Sequence, residues 1–486
     1  MAFSSQWTCA LLTLALVAQT SGAQAPKNQK TKVASQLQSI GDALDSANHH
    51  PVHILYVHGI DQIGAGDSSL FRKSICDQLK LCQVSDWKNA GIEYPDKGEF
   101  DPSLQPPALA YLGSPVWRSA DEWHAAAPFV VHWVVHLRGH AAVLVVDEIN
   151  WWPLVMAIKC RNVMTPEAHL AGPDPALIDV CSLASKQDPD GLGRFYPWIQ
   201  SDEADRLKKL RSRSVRINRN LKNSLVDWGL SDVLMAVGPM GGLLRDGVRQ
   251  LMAKSAAFAP AGIGAAPGAN GTPGAYDWRS QLNQDNAIDQ EFIGVTHSLG
   301  SYLLFNTLSV QNSETANLSA QESARIANEE NAVRYIFERT ALIYFFANQL
   351  EMLEITNLEN TPQPAPSAFK SRGLAPAPLA PMTPAANFDS LVNNWKQMQG
   401  AFQAACHPND ETARKKIQVV AFNDPSDVIT FRVPKIGDVE VVNLNVKNAT
   451  RWFGLFESPG AAHGNYAKNR HVLRMMFEGK DGAIGR

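Results

Sequence analysis

The chain has 486 residues, 45% of them hydrophobic, enough to bury a large core. Its 44 Lys and Arg stand against 47 Asp and Glu, a net charge of −3. So even a balance sets up no field for nucleic acid or an anionic membrane, and neither is expected as a partner.

The chain opens with Ala10 to Ala18, a short apolar run, followed by Ala23-Gln24-Ala25. An apolar stretch ending in small-x-small is the pattern of an export signal, expected here over residues 1–25. The first ten residues carry no Lys or Arg, which departs from that pattern. The run falls short of the ~20 residues a membrane span needs, and no later run reaches that length. The expectation is a secreted or periplasmic protein with no transmembrane span after signal removal. Residues 26–50 are polar and are expected to be poorly ordered, so the folded domain is expected over 51–486.

The first strand is expected at Val52 to Val57, ending at His58-Gly59, and a second at Ala142 to Val146. Neither alternates with polar residues, as befits strands of a parallel sheet covered on both faces. The stretch between them, roughly 60–140, is aromatic and polar by turns and includes Trp117, Trp123 and Trp133. Residues 203–225 are charged and expected to be helical. Leu244, Val248 and Leu251 mark one helix face. Ala, Gly and Pro crowd residues 255–275, expected to be a flexible insertion. Further strands are expected at Phe292 to Thr296, Ala341 to Phe346 and Ile417 to Phe422. A helix is expected after residue 302, a Pro/Ala-rich insertion over 361–386, and a closing helix over 466–478. Strands alternating with helices imply one α/β domain with a mostly parallel sheet and flanking helices.

A serine hydroxyl becomes a useful nucleophile only with a general base, a group to orient that base, and N–H donors for the oxyanion. Candidates for each role occur in the chain order of a strand-turn-helix nucleophile. Ser298 lies in Thr296-His297-Ser298-Leu299-Gly300, between an apolar strand and an apolar helix. Gly300 fits the small-residue requirement of such a turn; Thr296 stands where a Gly is usual. His58-Gly59 would turn the chain tightly, so that the N–H of Leu299 and that of Ile60 or Asp61 form the oxyanion donors. His463, in a loop rich in Gly and Ala, is the preferred base over His471, which sits in a helical pattern. Asp427 is the preferred acid, with Asp424 as the alternative because it leaves the strand directly. Neither a metal nor a cofactor is expected.

These segments resemble the α/β-hydrolase superfamily, in particular its lipase and serine-esterase branches. His297-Ser298-Leu299-Gly300-Ser301 is similar to the nucleophile string of lipase-like phospholipases. His58-Gly59 resembles the superfamily's oxyanion motif, and Ala462-His463 with Tyr466 its C-terminal His loop. The resemblance implies an α/β-hydrolase fold and hydrolysis of a small-molecule or lipid carboxylic ester through an acyl-enzyme on Ser298. Two other uses of such a fold stay open: a non-catalytic binding protein, and an amidase or peptidase.

Six cysteines are present. Cys76–Cys82 and Cys160–Cys181 are candidate local disulfides in an oxidising compartment, with Cys406 left free; unpaired buried thiols are the other reading. Trp151-Trp152 and Asp147-Glu148 are candidates either for a pocket or for core and strand-end packing. Asn270, Asn317 and Asn448 fit the glycosylation acceptor pattern.

Overall fold

The computed structural model describes residues 37–47, 50–60, 68–82, 110–111, 114–115, 127–155, 230–238, 240–258, 290–308, 319–350, 388–406, 416–427, 429–435, 439–448 and 459–479. Residues 1–25, 203–225 and 361–386 lie outside these, as do Asp61, Cys160, Cys181, Asn270 and Asn317.

The frame is a seven-stranded sheet. Its strands are β1 (Val52–Val57), β4 (Phe129–His136), β5 (Val143–Asn150), β6 (Glu291–His297), β7 (Thr340–Phe346), β8 (Gln418–Asn423) and β9 (Glu440–Asn445), in the spatial order β4-β5-β1-β6-β7-β8-β9. β4 runs antiparallel to β5, and every other neighbouring pair in this sheet is parallel. A two-stranded antiparallel ribbon, β2 (Ala110–Tyr111) with β3 (Ser114–Pro115), stands apart.

Helices cover both faces. α1 (Ile40–Ser46), α2 (Ser69–Leu79) and α9 (Arg470–Glu478) lie on one side. On the other are α3 (Ser231–Val237), α4 (Gly241–Ala257), α5 (Gly300–Asn306), α6 (Ala320–Glu338) and α7 (Phe388–Cys406). A short helix, α8 (Pro459–Gly464), precedes a 3₁₀ turn at Tyr466–Lys468. The strands partition their side chains by the period of two. Leu55, Val57, Phe345 and Ala421 face the second group of helices, and Ile54, Tyr56, Phe346 and Phe422 the first. The fold is therefore an α/β three-layer architecture with an apolar core on each side of the sheet.

The expected strands at 52–57, 292–296, 341–346 and 417–422 are present, each within a residue or two of its observed ends. Four expectations need correction. Residues 26–50 are not all outside the fold: Ile40, Ala43 and Leu44 are buried at helical spacing, and Ser39 and Asp42 form a capping box that starts α1. The second strand runs on through Asn150, because Asp147 and Glu148 find buried partners. β4 and β9 are edge strands that a search for unbroken apolar runs misses, since each is only half covered. α4 continues through Ala257, past the start of the 255–275 insertion.

Asp147 accepts from His53 Nδ1 at 2.7 Å and from His132 Nδ1 at 2.6 Å. Burial alone would raise its pKa; the charges and hydrogen bonds of the two histidines bring it below the usual value. Glu148 accepts from Ser68 Oγ at 2.7 Å and from Trp133 Nε1 at 3.2 Å. Both carboxylates are sheet anchors within the core. A disulfide joins Cys76 to Cys82 and ties the end of α2 to the bridge between Cys82 and Leu137. Among the described residues no helix is long and apolar enough to cross a membrane.

Candidate active site

From β1 the chain goes out to the edge strand β4, comes back as β5 beside β1, and then lays β6 on the opposite side of β1. The strand order thus reverses between β1 and β6. In an open parallel sheet that reversal leaves a crevice at the carboxyl ends of the two strands, where ligands bind. His58-Gly59 leaves β1 at that place, and Ser298 leaves β6.

Ser298 occupies a sharp turn. Its φ is +54°, in the left-handed region that costs a residue with a Cβ on the order of 1–2 kcal/mol. The turn holds because its surroundings over-determine it. The Ser298 N–H donates to Phe346 O at 2.8 Å, and its carbonyl accepts the Ser301 N–H at 3.2 Å. The Thr296 and Ser301 hydroxyls bond each other across the turn at 2.8 Å, which gives Thr296 a use at the position where a Gly is usual. Two glycines make room. A Cβ on Gly300 would lie 2.2 Å from Val57 O, and one on Gly59 would lie 2.6 Å from Ser298 Cβ. Both glycines therefore let the Ser298 turn and the end of β1 close on each other. Ser298 itself is fully buried, and its Oγ has no hydrogen-bond partner among the described residues.

Leu299 is the N-cap of α5, and its N–H precedes the first intrahelical bond, so it is available as a donor. Ile60, half-buried, packs against the core beyond Gly59. Asp61, the alternative second donor, is outside the described residues. His58 is locked in place. Its Nδ1–H donates to Gly59 O at 2.8 Å, its ring stacks on Trp151 at 4.9 Å, and its carbonyl accepts from Trp151 Nε1 at 3.1 Å. Burial drives its pKa down to about 3, against the opposing effect of the Gly59 bond, so it is neutral. Trp151 thus supports the turn and the core, and Trp152 is buried in the same core.

His463 and Asp427 come together at the other side of the turn. His463 Nδ1 donates to Asp427 Oδ2 at 3.0 Å and Oδ1 at 3.1 Å. This fixes the tautomer that leaves Nε2 with a free lone pair. His463 Nε2, like Ser298 Oγ, has no hydrogen-bond partner among the described residues, so these two atoms are not bonded to each other. They are linked through His297. Its Nε2–H donates to the His463 carbonyl at 2.9 Å, and the two rings meet edge-on with centroids 4.8 Å apart. Burial, and then the neighbouring His463, lower the His297 pKa to about 4, which keeps this link neutral.

Asp424 does something else. Its Oδ1 accepts the Ser426 N–H at 2.9 Å and its Oδ2 the Asn448 N–H at 2.5 Å. It shapes the acid loop and ties that loop to Asn448. His471 lies in the first turn of α9, its N–H capped by Asn469 at 3.0 Å, away from the Asp427 pairing.

Two residues of the site went unassigned in the sequence. Asn448 Nδ2 donates to Ala462 O at 2.9 Å, and its own carbonyl accepts from Asn465 Nδ2 at 3.3 Å, so it braces the His463 loop. Its side-chain Oδ1 accepts from Asn469 Nδ2 at 3.0 Å, so both ends of the amide are hydrogen-bonded. Tyr466 Oη accepts the Asp424 N–H at 2.8 Å and donates to Asp427 Oδ2 at 3.3 Å. Its position three residues after His463 was the available signal. No cluster of three or more His, Cys, Asp or Glu side chains that could hold a metal occurs among the described residues. Comparison with protein-family models, curated proteins and solved structures finds no match.

Proposed function

We propose that the protein is a serine hydrolase of the α/β-hydrolase type that cleaves carboxylic esters through an acyl-enzyme on Ser298. The observation that carries this reading is a set of buried groups that, among the described residues, lack partners: a strained serine with an unpartnered hydroxyl, beside a histidine whose Nδ1 is held by a carboxylate and whose Nε2 is unpartnered. A protein with no use for these groups would gain stability by losing them.

In this mechanism Ser298 Oγ attacks the ester carbonyl while His463 Nε2 takes its proton. Asp427 stabilises the imidazolium formed, without accepting the proton itself. The oxyanion gathers N–H bonds from Leu299 and from the residues after Gly59. His463 then returns the proton to the leaving alcohol, and water repeats the cycle on the acyl-enzyme. The Oγ–Nε2 contact that is open here would close in the substrate complex, as catalytic hydrogen bonds commonly do. The Cys76–Cys82 disulfide agrees with an oxidising compartment, which export would provide.

A fluorophosphonate probe tests the reading. It should label the wild-type chain at Ser298 and leave Ser298→Ala unlabelled. No labelling of the folded wild-type chain would refute it. Nitrophenyl esters of increasing chain length, set against peptide anilides, would separate ester from amide preference.

A further inference from the structure

The acid of the Asp427–His463 pair needs its own support, because a carboxylate turns readily about its last side-chain torsion. Asp427 is anchored at both oxygens. Oδ1 accepts the Ile429 N–H at 3.2 Å, and Oδ2 accepts the Tyr466 hydroxyl at 3.3 Å. The phenol has one proton to give. Its oxygen already accepts the Asp424 N–H at 2.8 Å and also meets the Thr430 side chain; the Asp427 carboxylate is the strongest acceptor among these neighbours, so the proton goes to Asp427. Tyr466 is fully buried, and its ring lies parallel to Phe346 with centroids 5.9 Å apart. Phe346 is also the residue whose carbonyl holds the Ser298 N–H. One side chain therefore touches the acid, the turn that carries the acid, and the residue that anchors the nucleophile.

We propose that Tyr466 is a positioning residue: its hydroxyl fixes the plane of the Asp427 carboxylate against His463 Nδ1, and so sets the basicity of His463. This rests on the reading of Ser298, His463 and Asp427 as a catalytic set. Burial and the charge of Asp427 push the ionisation of the phenol up, so it remains a donor throughout the working pH range. The groups facing the His463 ring are Asp427 and the neutral His297.

The test is a histidine titration by NMR on the full chain, with His463 assigned by its loss in His463→Gln. In Tyr466→Phe the His463 midpoint should fall toward that of Asp427→Asn, and its Nδ1 proton signal should broaden. Acylation by the fluorophosphonate should slow about tenfold or more in Tyr466→Phe. In the Asp427→Asn background the same change should cost nothing further. 4-Fluorophenylalanine at 466, which keeps the size without the donor and serves if Tyr466→Phe does not fold, should behave as Phe does. 4-Aminophenylalanine, which keeps a donor, should restore the wild-type midpoint. A midpoint that stays or rises without the donor would overturn the proposal. Absent labelling of the wild-type chain would instead sink the hydrolase reading, and the titration would still decide the role of Tyr466.

Discussion

Replacing Ser298 with glycine should abolish labelling and make the protein more stable. Ser298 is held at φ +54° with a buried, unpartnered hydroxyl. Glycine enters that backbone region freely, which relieves about 1–2 kcal/mol. Removing an unsatisfied buried hydroxyl is worth a further ~1–3 kcal/mol. Against this stand the greater entropy of glycine in the unfolded chain, ~0.5–1 kcal/mol, and a small loss of packing. The balance favours Ser298→Gly by about 1–3 kcal/mol. Ser298→Ala keeps the strain and loses only the hydroxyl, so it should gain about 1 kcal/mol. Urea denaturation with an unchanged m value would read these differences as midpoint shifts, in the order Gly above Ala above wild type. If both variants unfold at lower urea than the wild type, the serine is not held against a cost, and the argument from strain fails.

Asp427→Asn should lower the acylation rate by about 10⁴, as expected when the carboxylate behind a catalytic histidine is lost, while Asp424→Ala should lower thermal stability by ~1–3 kcal/mol through the stranded N–H groups of Ser426 and Asn448. Gly300→Ala puts a Cβ 2.2 Å from Val57 O and 2.6 Å from His58 O. Neither backbone atom can step aside, so this variant should lose ~1–3 kcal/mol and most of its labelling, read by melting and probe kinetics. His58 and His297 titrate at about 3 and about 4 when folded, against 6.5 as the ordinary value. Their folded pKa values are depressed, so the unfolded chain binds more protons between these limits. Their contribution to stability should be complete above pH ~6.5 and decline by several kcal/mol as the pH falls toward 3. Urea midpoints across that range should show a slope that Gln at positions 58 and 297 reduces.

What the sequence made legible depended on how completely each element is buried. β1, β6, β7 and β8 are covered on both faces and read as unbroken apolar runs. β4 is an edge strand whose apolar runs are broken by His132 and His136, and it lies in a stretch whose mixed aromatic and polar residues gave no strand signal to pick out. α1 went unread because a polar surrounding hid three apolar residues on one face. The order Ser298, Asp427, His463 could be read along the chain, and the structure pairs His463 with Asp427 while Asp424 bonds backbone N–H groups. Asn448 could be read only as a sequon, because its bonds to Ala462 and Asn469 join residues that no local pattern ties to it. Tyr466 could be seen near His463, but its two hydrogen bonds reach back to residues 424 and 427, and no local spacing encodes that.

The site therefore divides between groups that hold and groups left free. Asp424 and Asn448 join the acid loop to the His463 loop, and His297 joins that loop to the nucleophile turn. Asn348 adds a fourth tie. It carries the segment after β7 to the acid loop through Phe431, and it follows Ala347, which at φ +51° is in the same backbone region as Ser298. Two strained residues thus lie at the carboxyl ends of adjacent parallel strands, where the described neighbouring segments are tied together by hydrogen bonds. Strain of this kind persists only where neighbouring structure over-determines it. The atoms that remain unpinned within this frame include Ser298 Oγ and His463 Nε2, the pair that a substrate would have to engage.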